Sequence, residues 1–232
     1  MIRRDPIENE IELALSPGEF IRDRACFPLV SSLEAVASQI DILLKTDSAR
    51  AAGLYEIFLA CCREKAEELD DSSGSFGQFA KDLIWRWIKA RQAAGAASNE
   101  TAATFLAWMD DDPYAFCYQI EKDVTKAFER AGLAAFGSLV RARFEATPAE
   151  EEYDRRRWID ILLAIYFAQR NPAAYLALAK QIGLKPQDCL ALSIFVSRKP
   201  DLALNWVERR IALESDTPHS SAAWLRSPPA SA

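Results

Sequence analysis

The sequence predicts an all-α protein of stacked antiparallel helical hairpins, a tetratricopeptide-like or α-solenoid-like arrangement of about ten helices. Three observations lead there. Segment after segment repeats its apolar residues at i, i+3, i+4 and i+7, and none sustains a strand-like alternation. The breaks between segments are short and carry Asp, Asn, Pro or Gly, the residues that start and stop helices. The composition agrees: 8 glycines stand against 6 tryptophans and 12 phenylalanines, and half of the 232 residues are apolar, a globular mix that favours helix over sheet.

Residues 1–17 hold a proline, a Ser-Pro-Gly stop and the short alternation Ile11, Leu13, Leu15; they read as a poorly ordered or edge-packing arm. Residues 18–214 read as a single all-helical domain. Its first helix spans about 31–45 with Leu33, Val36, Ala37, Ile40, Leu43 and Leu44 on one face. Asp47 caps the next, whose stripe is Ala51, Leu54, Tyr55, Phe58, Cys62, Ala66 and Leu69. The break at 70–77, DDSSGSFG, feeds a helix with Phe76, Phe79, Ala80, Leu83, Ile84, Trp87 and Ile88 in near-ideal register. Ser98 or Asn99 starts the following helix, through Phe105, Leu106 and Met109. The run DDDP predicts a helix start with Asp112 at the cap and Pro113 at the first position, followed by Cys117, Ile120, Val124, Ala127 and Phe128.

Gly132 interrupts that stripe, and Leu133, Phe136, Leu139, Val140 and Phe144 form another. Pro148 and the acids Glu150, Glu151 and Glu152 open a helix with negative charge at its positive end. Its continuation WIDILLAIYF is apolar nearly all round, which predicts packing on more than one side. Asn171-Pro172, Pro186 and Pro200 start the last three helices. The end, residues 215–232, reads as a disordered tail.

The helices of 151–214 form two hairpins whose starts, near Asp154 and Pro186, lie ~32 residues apart, close to the ~34 of a tetratricopeptide repeat. Ala203 stands where such repeats need a small residue, and Trp158, Ile161 and Leu162 where their Trp and Leu fall. The usual glycine after the Leu position is absent. The runs IRDRACF, YEIFLACCREKAEELDDSSGSFG, WIKARQAAGA, LAWMDDDPY, KAFERAGLAAF, YDRRRW, IYFAQRN, QDCLAL and RKPDLALNWVERRI resemble, in order over residues 20–214, a bacterial family known only as a domain of unknown function. That resemblance implies an all-helical, tetratricopeptide-like fold and assigns no activity.

The chain has one histidine, His219, and it falls in the tail. Histidine runs most acid–base, nucleophilic and zinc chemistry near neutral pH, so a His-based site is not expected. No GxGxxG, GxxxxGK[ST] or HExxH occurs. The net charge of −6 argues against a protein that chiefly neutralises phosphates. Cys26, Cys61, Cys62, Cys117 and Cys189 are odd in number, form no CxxC and lie in or beside apolar runs, so reduced core thiols in a cytoplasmic protein are expected. The opening MIRRDPIENE has no apolar signal-like region, and neither secretion nor membrane spanning is expected.

Three groups of residues remain as candidates. Asp70 and Asp71 open no EF-hand, whose twelfth position would fall on Lys81 instead of glutamate. Together with Asp110, Asp111 and Asp112 they would hold a divalent cation only if the two breaks converge; otherwise they are helix starts. Arg155, Arg156 and Arg157 sit at the wrong end of their helix for its dipole. The expected explanation is pairing with Glu150, Glu151, Glu152 and Asp154; the alternative adds Arg141 and Arg143 to make a basic face for an acidic partner or phosphate. Trp85, beside Arg86 and Lys89 at the edge of its stripe, and Trp224 in the tail are candidate contact residues. The expected function is a non-catalytic helical-repeat module binding another protein, with no cofactor, no membrane and no nucleic-acid partner. The alternatives are an enzyme or enzyme subunit with a carboxylate-bound metal, and phosphate or nucleic-acid binding through the arginines.

Overall fold

Capping chemistry and apolar stripes set the element order in the computed structural model, which describes residues 5–117 and 119–215. The helices are α1 (Pro6–Ala14), α2 (Asp23–Leu43), α3 (Ser48–Lys65), α4 (Ser75–Ala93), α5 (Ser98–Asp110) and α6 (Glu121–Ala127). They continue as α7 (Arg130–Ala146), α8 (Glu152–Ala168), α9 (Pro172–Gln181), α10 (Pro186–Phe195) and α11 (Pro200–Ser215). A 3-10 turn, Ala66–Glu68, extends α3. No strand occurs among the described residues, only an isolated bridge between Ile21 and Leu69. The protein is all-α. Two compact units form, one up to Ile165 and one from Tyr166.

In the first unit α3 packs on α4, α2 on α1, α3 and α4, and α5 on α7. The core is the set of stripes legible in sequence: Leu33, Ala37 and Ile40 on α2, Tyr55 and Phe58 on α3, Phe79, Leu83 and Trp87 on α4, Phe105 and Phe136 on α5 and α7. Polar contacts tie the same helices. The buried Tyr55 hydroxyl donates to Asp41 at 2.5 Å, and Arg86 donates to Glu34 at 2.8 Å. Buried Lys65 donates to the Ser16 carbonyl at 3.0 Å and to Glu68 at 2.7 Å, fastening the segment before α2 to the end of α3. By length and composition α2 could cross a membrane; here its Cys26, Leu33, Val36, Ala37 and Ile40 stripe is packed inside the protein.

Several expectations are corrected. Residues 6–14, expected within an arm, form a helix: Asp5 accepts the Ile7 amide at 2.9 Å and Pro6 takes the first position. The alternation was a coincidence of spacing, because Ile11 and Leu15, four apart, are buried while Leu13 is 78% exposed. Helix α2 begins at Asp23, eight residues before the expected start near 31, with Pro28 inside it. Gly132 does not interrupt; α7 runs through it. A Cβ there would lie 2.6 Å from the Phe128 ring, so glycine lets α7 approach the end of α6. The largest departure follows α5. Asp112 does cap, but no helix propagates from it, and α6 begins only at Glu121.

In the second unit α10 packs on α11 and on α9. Asn171 caps α9 by accepting the Ala174 amide at 3.1 Å. Buried Asp188 accepts the Tyr175 hydroxyl at 3.1 Å and the Lys185 amide at 2.8 Å, tying α9 to the start of α10. On α11, Leu204, Val207 and Ile211 remain exposed along one helical face.

Candidate binding site around the loop between α5 and α6

The arginine group is assembled in a way its local sequence does not suggest. Among the described residues Arg155 and Arg157 make no ion pair with Glu150, Glu151, Glu152 or Asp154. Arg155 instead donates to the Thr147 carbonyl at 2.9 Å and the Phe144 carbonyl at 3.5 Å, with its guanidinium 4.5 Å from the Phe144 ring centre. Arg157 donates to the Met109 carbonyl at 2.8 Å and lies 5.2 Å from the Trp158 ring. These carbonyls belong to the last turns of α7 and α5, where the dipole is negative and acceptors lack intrahelical partners. The arginines are at the wrong end of their own helix and at the right end of two others. That contact replaces the expected pairing.

Arg143 pairs with Asp110 at 2.5 Å, and Arg141 is half-buried on the same helix. Arg156 alone of the three points outward, without a hydrogen-bond or ion-pair partner among the described residues.

The loop these contacts frame is pre-organised. Asp112 accepts the Phe116 amide at 2.9 Å and the Cys117 amide at 2.7 Å. Phe116, Cys117 and Ile120 are buried. Ala115 and Gln119 are held at φ 57° and 55°, left-handed conformations that cost a non-glycine residue about 1–2 kcal/mol and persist only where the surroundings enforce them. The Tyr114 hydroxyl donates to Glu67 at 2.8 Å, tying the loop to the end of α3.

A cleft lies on each side of this loop, and Asp112 and Cys117 line both. The larger, about 600 Å³, runs between the loop and the start of α8, edged by Tyr153, Arg156 and Asp160 with Arg157 and Ile161 below. Tyr153 is 78% exposed there. The smaller, about 300 Å³, lies between the loop, α3, α4 and α5 and is lined by Leu59, Ile84, Trp108 and Phe116 with carboxylates around them. Burial, then the Asp112 charge, pushes the Cys117 thiol up to about 12, so it carries almost no thiolate at neutral pH.

The acidic candidates are occupied separately. Asp71 accepts the Phe76 and Gly77 amides at 2.9 and 2.7 Å and caps α4, while Asp70 bonds Ser72. Asp110 pairs with Arg143, and Asp111 pairs with Arg63 at 2.7 Å. Among the described residues no three His, Cys, Asp or Glu side chains are placed to hold a metal ion. Trp85 is 41% exposed on α4, with the Lys89 ammonium 5.6 Å from its ring. Trp224 and His219 lie outside the described residues, as does Tyr118.

Tyr153, Asp160, Ala115, Gln119, Trp108 and Phe116 were not singled out from sequence. Only the Asp-Asp-Asp-Pro run marked the loop. Fold and site together define an all-helical protein with a braced surface loop between two clefts. No protein family, curated protein or solved structure matches the chain.

Proposed function

We propose that this protein is a non-catalytic helical binding module that holds a segment of another protein across the loop between α5 and α6. The observation that carries the reading is the bracing of that loop. Two left-handed non-glycine residues, a doubly bonded aspartate and a buried Phe-Cys pair fix a surface that faces two clefts. Pre-organisation of this kind lowers the ordering cost of binding. Tyr153 and Arg156, exposed at the edge of the larger cleft, are the residue types that carry interface energy. The chemistry of the walls supports binding over catalysis: the one thiol is held neutral, Asp112 is taken by two loop amides, and Asp110 and Asp111 are in ion pairs. Of Arg155, Arg156 and Arg157 only Arg156 remains outward, and the exposed Arg143 is paired with Asp110, which weighs against the phosphate alternative. The tetratricopeptide-like character read in the last helices and the resemblance to a bacterial helical family belong to the same proposal.

A photo-crosslinking residue at Tyr153, in the full chain expressed in the native host, tests this. A discrete partner adduct is expected, lost on Arg156→Glu while stability stays within about 0.5 kcal/mol of wild type, as for an unpartnered surface residue. Arg157→Ala is expected to destabilise by about 1–3 kcal/mol, since it leaves a helix end uncapped. Adducts from a crosslinker at Trp85 but none from Tyr153 would overturn the assignment.

A further inference from the structure

The smaller cleft has walls of one kind and an edge of another. Leu59, Ile84 and Phe116 form apolar sides, and the half-buried Trp108, its ring centre 4.3 Å from that of Trp87, forms an aromatic face. Glu56, Glu64, Asp111 and Asp112 line the same space against a single guanidinium, Arg63. Arg63 is committed to Asp111. The two amides on Asp112 orient its carboxylate without neutralising it. Glu56 accepts the Trp87 indole N–H at 2.9 Å and pairs with Arg91 at 4.0 Å. Glu64 is exposed and has no partner among the described residues.

We infer that this cleft binds an organic cation carried on an apolar stem, as the end of a lysine or arginine side chain from a protein partner presents it. An excess of carboxylates sets a negative potential within partly low-dielectric walls. An aromatic face adds attraction for an ammonium or guanidinium. The apolar sides match a methylene stem, which buries against them while its charged end stays at the wet edge. A bare metal ion lacks that match, and no three-ligand group is present among the described residues. An anion would meet the wrong sign. The inference rests on the reading of the loop as a protein-binding surface, with Asp112 and Cys117 shared between that surface and this cleft.

The test uses the full chain and follows the indole N–H resonance of Trp108, assigned with Trp108→Phe. The probes are agmatine, the uncharged N-butylacetamide, and the peptide acetyl-Gly-Arg-Gly-amide. Saturable shifts are expected with agmatine and the peptide, the peptide binding more tightly, and none with N-butylacetamide. Glu64→Gln is expected to weaken both by roughly two- to fivefold, the effect of one exposed ion pair, with an unchanged melting curve. Equal shifts from the uncharged probe, no shift from agmatine, or no effect of Glu64→Gln would overturn the inference. Agmatine binding more tightly than the peptide would overturn the assignment to a protein side chain. Failure of the Tyr153 crosslink with agmatine binding intact would remove the partner surface alone.

Discussion

Gly132→Ala separates two arguments that disagree in sign. Gly132 lies in the first turn of α7 with an ordinary helical backbone, so propensity favours alanine by at most about 1 kcal/mol. Packing opposes it: the new Cβ would stand 2.6 Å from Phe128 Cδ1. The Phe128 ring cannot swing aside freely. It is buried, stacked on Phe136 with ring centres 5.6 Å apart and 22° between planes, and touches Phe105 edge-on at 6.2 Å. Overpacking of this kind costs about 1–3 kcal/mol, leaving a net destabilisation of about 1–2 kcal/mol and a fall in melting temperature of about 2–8 °C. Urea denaturation gives the free energy. In a Phe128→Leu background the clash is relieved, so Gly132→Ala becomes neutral or stabilising, and the coupling between the sites is about 1–2 kcal/mol. Stabilisation by Gly132→Ala in the wild-type background would refute the packing argument.

Other expectations follow from the same geometry. Ala115→Gly relieves a left-handed residue at an exposed position; after the entropy cost of glycine it stabilises the protein by about 0.5–1 kcal/mol in urea melts, and destabilisation would show that the φ of 57° is not strained. Asp5, held below its ordinary 3.8 chiefly by the Arg50 hydrogen bond, contributes stability above that value and loses it as pH falls through its lowered pKa. The protection factors of the α1 amides, taken relative to the intrinsic exchange rate at each pH, should therefore fall in acid and lose this dependence in Asp5→Asn. Burial pushes the Cys26, Cys62 and Cys117 thiols up, so all three should resist alkylation at neutral pH until the protein unfolds; rapid labelling of Cys117 in the folded protein would contradict its burial.

What could be read before folding divides along physical lines. The α4 stripe, Phe76 through Ile88, is buried as its spacing requires, because a long amphipathic helix repeats its signal over many turns. Helix α1 is too short for that: over its nine residues and the Leu15 that ends it, an alternation and a four-residue spacing share Ile11 and Leu15. The loop after α5 carried a correct cap signal at Asp112 and a wrong continuation. A side chain can announce the start of a turn, but the left-handed turn of Ala115 that stops it has no residue signature when the residue is not glycine. The arginines failed for another reason. Their acceptors are backbone carbonyls at Met109, Phe144 and Thr147, which every residue carries and no sequence marks. The clefts inherit that invisibility, since the larger exists only once α8 is docked beside α5 and the loop, and the smaller only once α3, α4 and α5 meet the loop.

The two guanidinium caps have a consequence for how the protein meets a changing environment. A guanidinium is a planar, permanently charged donor, and a backbone carbonyl is a neutral acceptor found in every residue. The Arg155 and Arg157 contacts join α8 to α5 and α7 through bonds from a guanidinium to a backbone carbonyl, with no carboxylate among their members. Acid that loosens α1 by protonating Asp5 leaves this junction chemically unchanged. Part-buried and directed at dipoles, it is also less exposed to salt than a surface ion pair. The face that carries Tyr153 and Arg156 is thus anchored by fastenings that hold no carboxylate, while α1 is secured by one that depends on the charge of Asp5.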